Sequence, residues 1–382
     1  MIDMKYFLIA TLLLLAAGIT VGCRGKEAVS APEGDAMSNE YARGFKVTTL
    51  PSGVRLLDIS DPEGVQSEEF HYALVARGNE ADVPEGYTAI SVPIRTAVCM
   101  TSLQLSNFIR MGLQEVVTGI TSTRHLKDPI MRRQLKSGLT KRIGIEGNFD
   151  REVIMALSPD VILVSPFKRG GFEALRDAGA PTVPHLGYKE LTPLGQAEWI
   201  KVIGMLTGHE QEAAAAFDSI AIAYNDLKTR VDSAMAAGAR RPRVFSGEMR
   251  GGNWYAVGGH SFLARLLNDA GGEYFLKDNT ESGGVTLDYE TVYASASDAD
   301  YWRIVNSYDG NFDYEALRAS DGRYADFKAW RNGGVIYCNM TREPFYERMP
   351  VEPHLILADF IKVFHPSLLP DHTPVYYKLL AK

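Results

Sequence analysis

Cysteine is nearly absent from this chain: three residues in 382, at positions 23, 99 and 338. That is too few for a disulfide framework or a cysteine-rich metal site. Cys99 and Cys338 sit inside apolar runs, 96–100 and 335–338, and read as free thiols of buried strands. The eight histidines are scattered singly, with no i, i+4 pair or short loop spacing of the kind metal ligation prefers. Neither a metal site nor a cofactor is expected. A phosphate-binding loop, a dinucleotide fingerprint and an HExxH motif are all missing. Gly259-His260-Ser261-Phe262-Leu263 lacks the last glycine of a nucleophile elbow, and Ser261 reads instead as the cap of a helix that Gly271 ends. An enzyme is therefore not expected. A net charge of −7 without a Lys/Arg cluster argues against nucleic acid as a partner. Long apolar runs are missing too, save one at the start.

That run, residues 6–21, follows Lys5 and stops at Gly22-Cys23. It is shorter than the roughly 20 apolar residues that a spanning helix needs. A positive start, a short apolar core and a small residue at the cut describe a secretory signal over 1–22. Met4 is an alternative start, since Asp3 sits oddly in the positive region. Thr20-Val21-Gly22-Cys23 resembles a bacterial lipoprotein cleavage box, with Thr20 where Leu is usual. The resemblance implies that Cys23 becomes the N-terminus and carries lipid, ordinary cleavage being the alternative. Residues 23–40, rich in Gly, Ser, Ala and Glu, read as a flexible tether. The expected place is the cell envelope, lipid-anchored and facing the periplasm or the cell surface.

About 340 residues remain beyond the tether, which suits two domains. Residues 41–94 read as a β-rich extension, with strands at 45–50, 54–59 and 71–76 and turn chemistry at Pro51-Ser52-Gly53. From 95 onward short apolar strands alternate with helices. Strands are expected near 97–100, 116–120, 160–164, 181–184, 243–246, 300–305 and 334–338. Thr101 and Gln104 make a capping box for the first helix. Between the two groups of strands, 193–236 is helical, broken at Gly208. Its last part carries Phe217, Ile220, Tyr224, Leu227 and Val231 on one face over about 40 Å. The fold class is α/β: lobes at 95–192 and 237–382 with parallel sheets, joined by a long rigid helix that limits lobe motion.

Two segments 138 residues apart echo each other without a gap, 149–160 and 287–298. Asp150 pairs with Asp288, Glu152 with Glu290, Ala156 with Ala294 and Asp160 with Asp298. Each reads as a short helix and a following strand, with the first Asp in the opening helical turn, where it complements the dipole. The plain reading is a solvated helix start. The functional one is a pair of acidic knobs, one per lobe, for a basic partner with pseudo-twofold symmetry.

From about residue 95 on, the chain resembles the substrate-binding proteins of ABC importers for ferric siderophores, haem and cobalamin (class III, or cluster A-II). The resemblance rests on 152–163, on 172–183, on Ile203-Gly204-Met205-Leu206-Thr207-Gly208, on 261–272 and on Leu287-Asp288-Tyr289-Glu290, in that order. It implies two Rossmann-like lobes, a metal-chelate ligand between them, and an extracytoplasmic binding protein, expected as a monomer, that delivers cargo to importer membrane subunits. It also implies that Glu152 and Glu290 dock onto arginines of those subunits. Residues 41–94 fall outside it.

Ligands of such sheets sit beyond the C-terminal ends of strands. The first lobe then offers Met100, Thr101, Ser102, Lys168, Arg169, His185 and Tyr188. The second offers Arg250, Trp254, Tyr255, Tyr308, Arg342 and Phe345 with Tyr346. Rings suit a large conjugated ligand, and cations suit carboxylates, catecholates or phosphate. Packing inside the core is the plain alternative for each ring, and a solvated surface charge for Arg342 and Lys168. A surface scavenger feeding an outer-membrane receptor, or a chelatase-like enzyme using His185 or His260, are the rival functions.

Overall fold

Hairpin chemistry builds the first sheet. In the computed structural model, which describes residues 34–79, 83–121, 123–145, 148–166, 175 and 178–382, its strands are β1 (Asp35–Met37), β2 (Phe45–Thr49), β3 (Arg55–Ile59), β4 (Phe70–Ala76) and β5 (Thr88–Val92). They lie in that order, antiparallel except for β4 against β5. One face of this sheet carries a small cluster of its own, Val54, Leu56, Ala73, Val75 and Tyr87, whereas the other packs on the lobe behind it. Phe45, Val47, Leu57, Ile59, Leu74 and Ile90 share one buried cluster with Phe108, Ile203 and Leu206. Each such side chain contributes about 1.5–3 kcal/mol by leaving water. The extension is thus a layer of the N-terminal lobe rather than a separate unit.

Two buried carboxylates fasten the chain entering that layer. Glu198, fully buried, accepts the amides of Glu40 (3.1 Å), Tyr41 (2.8 Å) and Ala42 (2.8 Å). Glu190 accepts those of Arg43 (3.0 Å) and Gly44 (2.9 Å), together with the Trp199 indole N–H (2.9 Å). This corrects the tether boundary: from residue 35 the chain is strand and then clasped arm. Cys23, the secretory signal and the rest of the tether lie outside the described residues, as do Lys168 and Arg169.

The N-terminal lobe runs β6 (Ala97–Cys99), α1 (Ser102–Met111), β7 (Val117–Ile120), α2 (Pro129–Ser137), β8 (Lys141–Arg142), β9 (Gly144–Ile145), β10 (Asn148–Phe149), α3 (Arg151–Leu157), β11 (Val161–Val164) and β12 (Thr182–Pro184). Its sheet is parallel throughout, in the order β12-β11-β6-β7-β8. Three helices follow: α4 (Pro193–Glu198), α5 (Ile200–Thr207) and α6 (Glu210–Ala236). Gly208 ends α5 in the left-handed region at φ 74°. Gly204 lets α5 and α6 touch, since a Cβ there would lie 2.5 Å from that of Ala213. Phe217, Ile220, Tyr224 and Val231 of α6 are buried in the C-terminal lobe's core as their spacing predicts, with Leu227 half-buried beside them.

The C-terminal lobe runs β13 (Arg243–Ser246), β14 (Glu248–Arg250), β15 (Asn253–Val257), α7 (Phe262–Asp269), β16 (Glu273–Tyr274), β17 (Gly284–Leu287), α8 (Tyr289–Ala296), β18 (Tyr301–Asn306), α9 (Tyr314–Ser320), α10 (Lys328–Arg331), β19 (Val335–Asn339), α11 (Phe345–Arg348), α12 (Pro353–Phe364) and β20 (Lys378–Leu379). Its main sheet is β16-β13-β18-β19-β20, antiparallel only at β20. A small antiparallel sheet, β14-β15-β17, has no counterpart in the sequence reading. Cys99 and Cys338 are free and buried, and burial pushes the Cys338 thiol up to about 12. Among the described residues no helix is long and apolar enough to cross a membrane.

Both lobes share a four-strand plan, β7-β6-β11-β12 and β16-β13-β18-β19. The ungapped echo needs one correction. Asp160 precedes β11 and accepts the amides of Arg95 and Thr96, at 2.6 and 3.2 Å. Asp300, not Asp298, precedes β18 and accepts the amide of Arg243 at 3.0 Å. Register agrees, since Ala97 pairs Val161 as Val244 pairs Tyr301. The repeat therefore slips by two residues at the ends of α3 and α8.

Candidate interlobe site

Strand order reverses between β6 and β11 in one lobe and between β13 and β18 in the other. Crevices beyond the C-terminal ends of such strands are where open sheets take ligands. In the N-terminal lobe the crevice floor is Gln104. Its carboxamide oxygen accepts the amides of Met100 (2.7 Å) and Thr101 (3.1 Å), and its nitrogen donates to Ser165 at 3.3 Å. The capping box is thus present, and Thr101 and Ser102 stand half-buried above it. Met100 is corrected: its side chain is buried against Ile162 and Val164. So is His185, which is buried between Asn107 (3.1 Å) and the Trp199 ring (4.8 Å), with burial lowering its imidazole to about 4. Tyr188 is half-buried in a 3-10 turn, packed on the shared core.

Trp254 is corrected as well. Its glycine-bracketed segment is not a loop but β15, whose alternation turns Trp254 inward at 0% exposure and Tyr255 outward at 45%. Trp254 donates to the Ser246 carbonyl (2.9 Å) and packs with Phe245, Trp302, Tyr324 and Phe327. Arg250 is exposed but turned onto Glu248 at 2.6 Å, which also accepts from Asn306 at 3.1 Å. Phe345 is buried and meets Tyr377, whereas its neighbour Tyr346 is exposed. Arg342 is exposed and donates to the Gly310 carbonyl at 3.0 Å, holding the loop that carries exposed Tyr308.

The lobes meet at a seam that the sequence reading missed. His125 Nε2 lies 3.5 Å from Ser307 Oγ, and its ring centroid lies 6.4 Å from that of Tyr346. Burial, then Arg124 and Lys127, hold its imidazole below the usual value, so it is neutral at pH 7. Glu347 accepts the amides of Lys127 and Asp128, the latter at 2.7 Å. The signal is in the sequence: residues 121–128 follow strand β7, and the rule that ligands sit beyond strand ends applies to that loop as well. A second seam joins the extension to both lobes. Lys189 pairs with Asp61 (2.7 Å) and Glu63 (3.3 Å), and Glu63 accepts from Ser282. Burial works against the Asp61 charge, but Lys189 and the Gln66 and Glu63 amides hold its carboxyl below the usual range.

The echoed acidic residues stand at the starts of α3 and α8. Asp150 and Asp288 are the N-caps of α3 and α8 rather than first-turn residues, accepting from Val153 (3.1 Å) and Thr291 (2.6 Å). Glu152 and Glu290 are exposed in the first turns. One turn later each helix exposes a large apolar side chain, Met155 (53%) and Tyr293 (38%). Because α3 and α8 feed the starts of β11 and β18, their N-termini lie at the same end as the crevices. Among the described residues no three His, Cys, Asp or Glu side chains gather as a metal-holding group.

Three comparisons bear on this geometry. The sequence profile of the family described as periplasmic binding protein matches residues 98–340. An uncharacterized lipoprotein of Methanocaldococcus jannaschii is 23% identical over 296 residues, covering 74% of this chain and 68% of its own length. Among solved structures, a periplasmic haem-binding protein of Pseudomonas aeruginosa aligns at TM-score 0.59 and 20% identity, over 76% of this chain and 99% of its own. A molybdate-bound periplasmic binding protein of a Haemophilus influenzae ABC transporter aligns at 0.58 and 16%, over 74% and 89%. At these identities the structural likeness is one of fold.

Proposed function

This chain belongs to the periplasmic binding protein family, and on that premise we propose that it captures a metal chelate between its lobes and delivers it to an ABC importer. The observation that carries the reading is the composition of the crevice mouth. Tyr255 on β15, Tyr308 after β18, and Arg342 and Tyr346 after β19, the last on α11, are all exposed and follow strands of the C-terminal lobe, which supports placing them there. Flat rings favour a large conjugated or catecholate ligand, and guanidinium favours its carboxylate or phenolate edges. One solved relative is a haem-binding protein and another holds molybdate, so a bare oxyanion is the competing cargo. The supply of rings favours the chelate.

Delivery rests on the knobs. Glu152 with Met155 and Glu290 with Tyr293 present the same acidic-plus-apolar pair on each lobe, on the face that carries the mouth. A docked importer with paired basic sockets then covers the opening through which cargo leaves. The lipoprotein relative and Cys23 support an envelope location with a lipid anchor.

The test is calorimetric titration of the purified protein with haem, cobalamin, ferric siderophores and molybdate. One chelate should bind at sub-micromolar concentration, and Tyr308→Ala or Arg342→Gln should weaken it about tenfold. Glu152→Lys with Glu290→Lys should leave that affinity intact and abolish importer stimulation. Undiminished stimulation by the double variant would refute docking through these glutamates, and cargo binding by a wild-type protein that stimulates no importer would favour a scavenger role. Binding of no chelate would refute the reading.

A further inference from the structure

Crowded cations in this fold are arranged around carboxylates. Arg240 and Lys328 flank Asp300 at 2.6 and 2.8 Å, and Lys201 lies 2.8 Å from Glu198. A cavity of about 430 Å³ between the clasped arm and α7 is lined by several cations, yet two of them pair, Arg265 with Asp269 (3.2 Å) and Lys277 with Glu273 (3.4 Å). One hollow differs. About 550 Å³ lies open between α2 and β8, lined by Arg124, Lys127, Arg132, Lys136, Lys141 and Arg142. Among the described residues no carboxylate pairs with any of the six.

The sequence reading found no Lys/Arg cluster, and the fold corrects it. The six residues are dispersed over 124–142, but Arg132 and Lys136 stand one turn apart on α2. Pairing of Ile120 with Arg142 brings β8 alongside. Gly138, at φ 80°, leaves room for Lys141 to fold across it; a Cβ there would lie 3.0 Å from Nζ. Two carboxylates of the adjoining seam are committed elsewhere. Asp128 is buried and caps α2 through the Met131 amide at 2.9 Å, and Glu347 holds the Lys127 and Asp128 amides. Six like charges in one concavity repel one another, and a chain of net charge −7 has no general need of them.

We propose that this hollow binds phosphate groups presented at least in pairs, as in an inorganic polyphosphate or the headgroups of anionic phospholipid. The volume exceeds what a single phosphate fills, and balancing six charges takes several phosphate oxygens. Arginine supplies forked donors and lysine point charges, the mixture that suits tetrahedral oxyanions. The positive field also reaches His125, where Arg124 and Lys127 add to burial in disfavouring the imidazolium. The hollow adjoins the seam at Arg124 and Lys127 but includes none of Tyr255, Tyr308, Arg342 or Tyr346.

Pyrophosphate and tripolyphosphate, titrated by calorimetry, are the soluble probes; vesicles of phosphatidylcholine with and without phosphatidylglycerol, in a co-sedimentation assay, are the lipid probe. At least one probe should bind, with affinity falling as salt rises. The exposed double substitutions Arg132→Gln with Lys136→Gln, and Lys141→Gln with Arg142→Gln, should each weaken it about tenfold or more. Exposed Arg230→Gln on α6 should not. Binding to soluble polyphosphate assigns a free anion, and binding to phosphatidylglycerol vesicles alone assigns a headgroup; either supports the site. Absence of both, or binding indifferent to the two double variants, overturns it.

Discussion

Replacing Glu198 by alanine should release the arm at residues 40–42, leaving Arg43 and Gly44 on Glu190. The fully buried carboxylate accepts three amides and the Lys201 ammonium (2.8 Å). Lys201 and the exposed Glu40 can recover water. The amides of Tyr41 and Ala42, both at 2.8 Å, are less able to. A hydrogen bond to a charged group is worth about 1.5–3 kcal/mol, so the two together amount to about 3–6 kcal/mol. That is a large share of the roughly 5–15 kcal/mol by which a domain is stable. Amide hydrogen exchange of Tyr41 and Ala42 should speed up by about two to four decades. Glu198→Gln, which keeps the shape and one acceptor oxygen, should fall between. Unchanged protection of Tyr41 and Ala42 in Glu198→Ala would refute the reasoning, because the clasp would then contribute nothing that its geometry implies.

Acid should destabilise the fold through buried imidazoles. Burial lowers His185 and His354 to about 4, with Arg110 adding to the effect at His354, while each titrates near 6.5 when unfolded. Their stabilisation is full above pH 6.5 and is lost as pH falls through about 4, reaching about 2 kcal/mol per ring at pH 5. Between pH 7 and 5, stability from urea titration should fall by about 2 kcal/mol more in wild type than in His185→Gln, which keeps His354; parallel losses would sink the assignment. Gly259→Ala should cost about 3 kcal/mol, because a Cβ there meets the Leu276 carbonyl oxygen at 1.9 Å and that of Asn279 at 2.5 Å. Gly322→Ala, with nothing within 4 Å, should change the urea midpoint by less than about 0.5 kcal/mol. Equal effects from the two would contradict the close approach.

The regular parts of the fold were legible because they obey local rules. The box at Thr101 and Gln104, the stripe along α6 and the strand runs depend on neighbours a few residues away. The echo was legible through its helices and misled only where α3 and α8 differ by two residues before the next strand. Long-range events were not legible. Glu198 meets amides 156 residues away, and no periodicity records that. Trp254 was misjudged because flanking glycines mark a loop equally well as the ends of a short strand, and only pairing with β14 and β17 fixes which face is inward. His125 and the basic hollow were overlooked because facing is set by sheet order, which dispersed Arg and Lys residues do not reveal.

The tryptophans have a spectroscopic consequence. Trp254 and Trp302 are fully buried with ring centroids 5.6 Å apart at 32°, inside a shell of Phe245, Tyr324 and Phe327. Trp199 is fully buried in the other lobe, under the extension. Chromophores fixed this closely couple their transitions, so near-ultraviolet dichroism reads the integrity of the C-terminal lobe. Their indoles have no surface to offer a cargo molecule by contact. Emission from these three indoles is therefore a gauge of folding, and only a ligand that absorbs in the emission band, as a tetrapyrrole does, can dim it across the intervening protein; the fourth, Trp330, is half-buried on α10 beside Tyr314.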